Sequence, residues 1–156
     1  MAKNKGKKPG TRRVGRTLAF QVLYGLPFAP RDQEPDLGRA YNQNPCVLDE
    51  ESAAAIEFGE SLVLGAGQRL AEVDAAIDKF SQHWKIDRIA RVELAILRLA
   101  LYEILYTDIP LKAAINEAIE LAKTFGDGNS RSFVNGILDG VARAVDSGKF
   151  DVNKSF

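Results

Sequence analysis

Arg12, Arg13 and Arg16 stand at spacings of 0, +1 and +4, which on a helix gathers three guanidinium groups over the first turns. Lys3, Lys5, Lys7 and Lys8 precede them, and no acidic residue lies between Met1 and Arg16. Guanidinium forks match the oxygens of phosphate and carboxylate, so the chemistry written here is anion binding. The remaining 140 residues carry 14 basic against 21 acidic side chains. A basic arm therefore stands on an acidic body, although the whole chain is formally neutral. That asymmetry points to an anionic partner for the arm. A solubilising tail is the competing reading.

Bond-making chemistry finds little to work with. Cys46 and His83 are the single cysteine and the single histidine, which excludes an intrachain disulfide and the usual Cys/His zinc cluster. A thiol–imidazole pair would lack an orienting third group and an oxyanion site. Cys46 is expected in a loop and His83 at a helix end. Gly126-Asp127-Gly128 follows a helical pattern and lacks the lysine of a phosphate loop. Glu117 and Glu120 read as a solvated helix face. No catalytic residue, metal or cofactor is expected. No apolar run reaches the ~18 residues of a membrane span, and the charged N-terminus does not resemble a secretory signal. A cytoplasmic location follows as an expectation.

The elements that must position these residues are helical throughout. Residues 1–10 should be a disordered basic tail. Thr11 can cap a helix over 12–26, with Leu18, Ala19, Val22 and Leu23 on its buried stripe. The stretch 27–50 holds Pro27, Pro30, Pro35 and Pro45 and reads as a long connection with a short helix near 36–41. Helices follow over 49–65 and 67–80. The segment 87–106, apolar nearly all round between Leu94 and Leu105 apart from Arg98 and Glu103, should be central and broken near its start. Pro110 and Gly126 bracket the next helix. Ser130 can cap the last one, which runs to about Asp146 with Val134, Ile137, Leu138, Val141 and Val145 inside. Gly136 and Gly140, one turn apart, predict another helix packed closely there. The fold class is an all-α bundle.

Three stretches resemble the NusB family. RRVGRTLAFQVLY (Arg12–Tyr24) looks like its opening helix. ILRLALYEILYTDIPLKAAINEAIELAKTFG (Ile96–Gly126) resembles its core signature nearly throughout. SRSFVNGILD (Ser130–Asp139) matches its final-helix signature. The match spans residues 11–146 in order and spacing. The resemblance implies a compact bundle of about seven helices in two small subdomains. Its limits are placed at 11–148, with a polar tail over 149–156. It further implies a non-enzymatic antitermination factor that binds the boxA element of nascent ribosomal RNA transcripts together with NusE. NusE is a ribosomal small-subunit protein that doubles as a transcription factor, and the pair holds RNA near RNA polymerase.

The residue chemistry is consistent with that. A single-stranded RNA binder needs cations and aromatic faces. Lys7, Lys8, Arg12, Arg13 and Arg16 can supply cations, and Tyr24 lies two to three turns along the same helix. The resemblance places Phe80, Phe125 and Phe133 where family aromatics approach RNA, with core packing the alternative for each. Asn129 stands where the family often has an acidic residue near RNA. Arg91 and Glu93 are candidates for the protein partner, with a solvated face as the alternative. Val14 and Gly15 interrupt the arginine run, which shifts contacts toward the lysine tail and weakens the helix start. Three other readings stay open: a protein-only interaction module, an accessory domain of an RNA cytosine methyltransferase, and a homodimer.

Overall fold

In the computed structural model, residues 9–25, 36–81 and 85–155 are described. Lys7, Lys8 and His83 lie outside them. The described residues form eight α-helices: α1 (Thr11–Tyr24), α2 (Leu37–Gln43), α3 (Pro45–Asp49), α4 (Ala53–Gln68), α5 (Leu70–Phe80), α6 (Arg91–Tyr106), α7 (Leu111–Phe125) and α8 (Ser130–Asp146). A single 310 turn, Ile86–Arg88, precedes α6, so the break expected near the start of the central helix is there.

Central placement of α6 follows from its composition. Every residue from Leu94 to Leu101 is buried, so no face is left for water. Both of its interior charges have partners. The fully buried Arg98 is forked to Asp74 of α5, with Nε–Oδ1 and Nη2–Oδ2 both 2.9 Å. Glu103 is paired with Arg16 of α1. A buried charge is tolerated only in such company. Around α6, one group of helices holds α1 against α4 and α2, and the other holds α7 and α8. One hydrophobic core runs through both groups.

Several helix starts differ from expectation. Gly10, not Thr11, caps α1, and no side chain caps it. Thr11 instead forms the first helical residue. Pro110 and Asn129 occupy the cap positions of α7 and α8 without side-chain caps. The Ser130 hydroxyl is occupied elsewhere. Side-chain caps do occur at α2, α3 and α4, from Asp36, Asn44 and Ser52. Among its described residues the proline-rich connection thus carries two short helices rather than one, and Cys46 is exposed on the second.

Gly15 is explained by packing. A Cβ there would lie 2.7 Å from Phe58 Cδ1 and 2.9 Å from the Ala55 carbonyl of α4. Opposite it, a Cβ on Gly59 would meet Gly15 O and the Tyr41 hydroxyl. The two glycines let α1 and α4 touch backbone to backbone. Gly136 is the reverse case: nothing lies within 4 Å of its Cβ position. Gly140 alone packs closely, with the Phe80 ring at 3.3 Å. The close helix contact expected at both positions exists at one, and the neighbour is an aromatic side chain.

The last described residues return to the body. Phe150 and Val152 pack on the core. The Lys154 ammonium donates to the Glu103 carbonyl near the end of α6 (3.2 Å), where a cation also complements the helix dipole.

Candidate nucleic-acid interface

The three arginines that the sequence groups have three different environments. Arg12 is exposed, with its guanidinium 5.7 Å from the Phe58 ring centroid. No carboxylate among the described residues pairs with it. Arg13 is half-exposed at 52% and forked to Glu117 of α7, with Nε–Oε2 3.2 Å and Nη2–Oε1 3.0 Å. Glu117 raises the Arg13 pKa further, by hydrogen bonding first and then by charge.

Arg16 corrects the expectation of a surface cation. It is only 5% exposed. Its Nε and Nη2 both donate to Glu103, at 2.9 Å to Oε1 and 2.9 Å to Oε2. Arg16 lies one turn further along the same face as Arg12, where Glu103 of α6 passes beside the helix, and a buried guanidinium must take a carboxylate partner. Arg16 fastens α1 to the central helix.

No acidic side chain occupies the first turn of α1 and no side-chain cap covers it. Unpaired backbone N–H groups, the positive end of the helix dipole and Arg12 therefore coincide. Such a terminus attracts anions.

At the opposite end of α1, Tyr24 is 41% exposed. Arg91 of α6 donates to the Tyr24 carbonyl (3.2 Å) and holds its guanidinium 5.1 Å from the Tyr24 ring centroid. Behind Tyr24 the buried Phe20 stacks on Phe125 of α7, centroids 4.6 Å apart. Phe125 is half-buried at the rim. Arg13 reaches Glu117 and Phe20 reaches Phe125, so α1 and α7 point the same way and meet through side chains.

The turn between α7 and α8 closes this end. Asp127 Oδ1 accepts from the backbone N–H of Asn129 (2.8 Å) and of Ser130 (3.2 Å). The buried Ser130 hydroxyl donates to Glu93 of α6 (3.0 Å) and accepts from the Asp127 N–H (3.0 Å). Asn129 is exposed, and its amide makes no hydrogen bond among the described residues. Phe133, half-buried, lies one turn further along α8.

Tyr24, Arg91, Phe125, Glu93, Asn129 and Phe133 thus gather where four helix ends converge. Arg12 and Arg13 lie ~16 Å away along α1. Phe80 is separate: its ring packs on Gly140 and lies 6.0 Å from Phe150, under the Lys79 ammonium. Arg91 and Glu93 anchor Tyr24 and the α7–α8 turn, so they adjoin the candidate RNA residues. Sequence reasoning missed Phe58 and Glu117 as neighbours of the arginines. Neither carries a local signal, since each meets α1 only across the fold.

Among the described residues no cluster of His, Cys, Asp and Glu could hold a metal ion. No described helix is long and apolar enough to cross a membrane. Fold and site define an all-α protein with a candidate surface of arginines and aromatic rings. The sequence profile of the NusB family matches residues 13–143. The transcription antitermination protein NusB of Nitratidesulfovibrio vulgaris (strain DSM 19637 / Miyazaki F) is 49% identical, over 94% of this chain and 95% of that relative. The solved structure of T. maritima NusB superimposes with a TM-score of 0.74 at 33% identity, covering 94% of this chain and 99% of that one. A chain from the crystal structure of antitermination factors NusB and NusE in complex with dsRNA gives 0.73 at 27% identity, over 86% and 97%. The chain belongs to the NusB family of transcription antitermination proteins.

Proposed function

We propose that this protein binds single-stranded boxA-type RNA of nascent ribosomal RNA transcripts together with NusE, and that the complex acts on RNA polymerase in the cytoplasm. The observation that carries the reading is that the exposed Arg12 and Arg13 stand at one end of α1 and Tyr24, with Phe125, Asn129 and Phe133, at the other. Cations at one end can take phosphates, and the exposed Tyr24 ring, with the half-buried Phe125 and Phe133 beside it, can take unstacked bases at the other. A solved relative is a complex of NusB with NusE and dsRNA, which supports NusE and RNA as the kinds of partner. Lys7 and Lys8, which precede Arg12 in the sequence, offer further cations. Phe80 takes part only if RNA continues ~10 Å along α8 beyond Phe133. Arg91 and Glu93, as the candidate residues for NusE, would set that contact beside the RNA.

Fluorescence anisotropy tests this with a boxA-like RNA, a scrambled RNA and a duplex, with and without NusE, across a salt series. Preference for the single-stranded boxA-like RNA, strengthened by NusE, is expected. Neutralising about four phosphates gives a log–log salt slope near −3. Tyr24→Ala should cost ~1–3 kcal/mol of binding through lost stacking. Equal, feeble binding of all three RNAs, NusE present, would overturn the reading and leave a protein-only interaction module.

A further inference from the structure

The fork between Arg13 and Glu117 has the geometry of an arginine on a phosphate. Nε and Nη2 each meet one carboxylate oxygen, at 3.2 and 3.0 Å. An RNA phosphate offers the same two-oxygen acceptor. We propose that Glu117 is an internal phosphate mimic that sets RNA affinity by occupying Arg13 until a phosphate displaces it. The inference rests on the RNA-binding reading above.

Three observations carry it. First, the pair opens to solvent on the Arg13 side, with side-chain exposures of 52% for Arg13 and 20% for Glu117, and a solvent-screened ion pair contributes little and can be exchanged. Second, it is not needed to hold α1. The backbones of α1 and α7 scarcely meet, whereas α1 packs along α4 and the buried Arg16–Glu103 fork ties it to α6 one turn away. Arg13 can therefore change partner without moving its helix. Third, the other candidate cation of the first turns differs: Arg12 has no carboxylate partner among the described residues. Glu120, one turn on from Glu117, faces Arg13 closely enough to raise its pKa and is itself paired with Lys123 (3.4 Å). A phosphate approaching α7 thus meets carboxylates first, unless Arg13 leaves its partner for it.

Displacement has a salt signature. When a phosphate takes Arg13 in the wild type, an ion pair that salt itself weakens is given up, which offsets part of the salt dependence. With glutamine at 117 nothing is given up. The log–log slope should then steepen, by no more than about 0.7 for single-stranded RNA.

Anisotropy with the boxA-like RNA is measured for the full chain as wild type, Glu117→Gln, Arg13→Gln and the double variant. Glu117→Gln should bind about two- to fivefold tighter, the range of an exposed ion pair. The gain should extend to scrambled RNA, because phosphate contacts carry no sequence information. It should vanish in the Arg13→Gln background. Unchanged or weaker binding by Glu117→Gln overturns the proposal. So does equal tightening with and without Arg13, which would mean plain repulsion of RNA by the carboxylate. A wild type that binds no RNA overturns the functional reading itself, whereas a wild type that binds RNA while Glu117→Gln changes nothing overturns only the mimic.

Discussion

Arg16 and Glu103 meet as a forked pair sealed between α1 and α6, with side-chain exposures of 7% and 4%. Removing one partner leaves a buried charge alone. Arg16→Ala or Glu103→Ala should each lower stability by ~3–5 kcal/mol, read as a shift of the urea midpoint. An Arg16→Met/Glu103→Leu double variant should recover much of that loss. RNA binding by the folded fraction of Arg16→Ala should stay near wild type, because Arg16 offers solvent no cation. A folded variant with strongly weakened binding would return Arg16 to the RNA surface.

Two glycines of similar helical context should respond with opposite sign. Gly15→Ala drives a methyl group against the Ala55 carbonyl and the Phe58 ring, and backbone cannot yield cheaply. It should destabilise by ~1–3 kcal/mol, as overpacking does, despite alanine's better helix propensity. Gly136→Ala meets only open space and should stabilise by ~1 kcal/mol. Thermal or urea unfolding of the two variants decides the matter. Destabilisation by Gly136→Ala would mean that its bare face is covered in solution.

Asn129→Asp should weaken RNA binding. The Asn129 backbone N–H donates to Asp127 Oδ1 (2.8 Å), so the change sets a second negative charge close to that carboxylate. Two charges ~4 Å apart in water interact by about 1 kcal/mol, roughly a fivefold loss. The loss should shrink as salt rises. Equal affinities at low salt would place Asn129 away from the RNA.

Alkaline stability should report on Tyr41. Its buried hydroxyl donates to the Ile56 carbonyl (2.6 Å), and burial first, then Glu60 and Glu50, push its pKa up to about 12. The folded chain keeps a proton that the unfolded chain surrenders at a lower pH. Stability is therefore full below the ordinary tyrosine value of about 10 and falls as pH rises toward 12. Tyr41→Phe should flatten that part of the profile, while losing ~1 kcal/mol at neutral pH with the hydrogen bond. An unchanged alkaline slope in Tyr41→Phe would assign the effect to another group.

What local sequence determines here is what depends on near neighbours in the chain. Periodic apolar residues specify the long helices, and a helix apolar on all sides, such as 94–101, has to be central. Helix ends were less legible, because a cap depends on where a hydroxyl finds its partner. Ser130 turns to Glu93, thirty-seven residues away. The candidate site divides in the same way. Its ingredients, arginines at one end of a helix and Tyr24 at the other, are visible in the sequence. Their availability is not. Whether an arginine faces water, a surface glutamate or a buried one depends on which distant helix passes beside it. Arg12, Arg13 and Arg16 lie within five residues of one another. Only the packing of α4, α7 and α6 made the first exposed, the second exchangeable and the third structural, because a charge takes its role from the dielectric and the partner that the fold puts next to it.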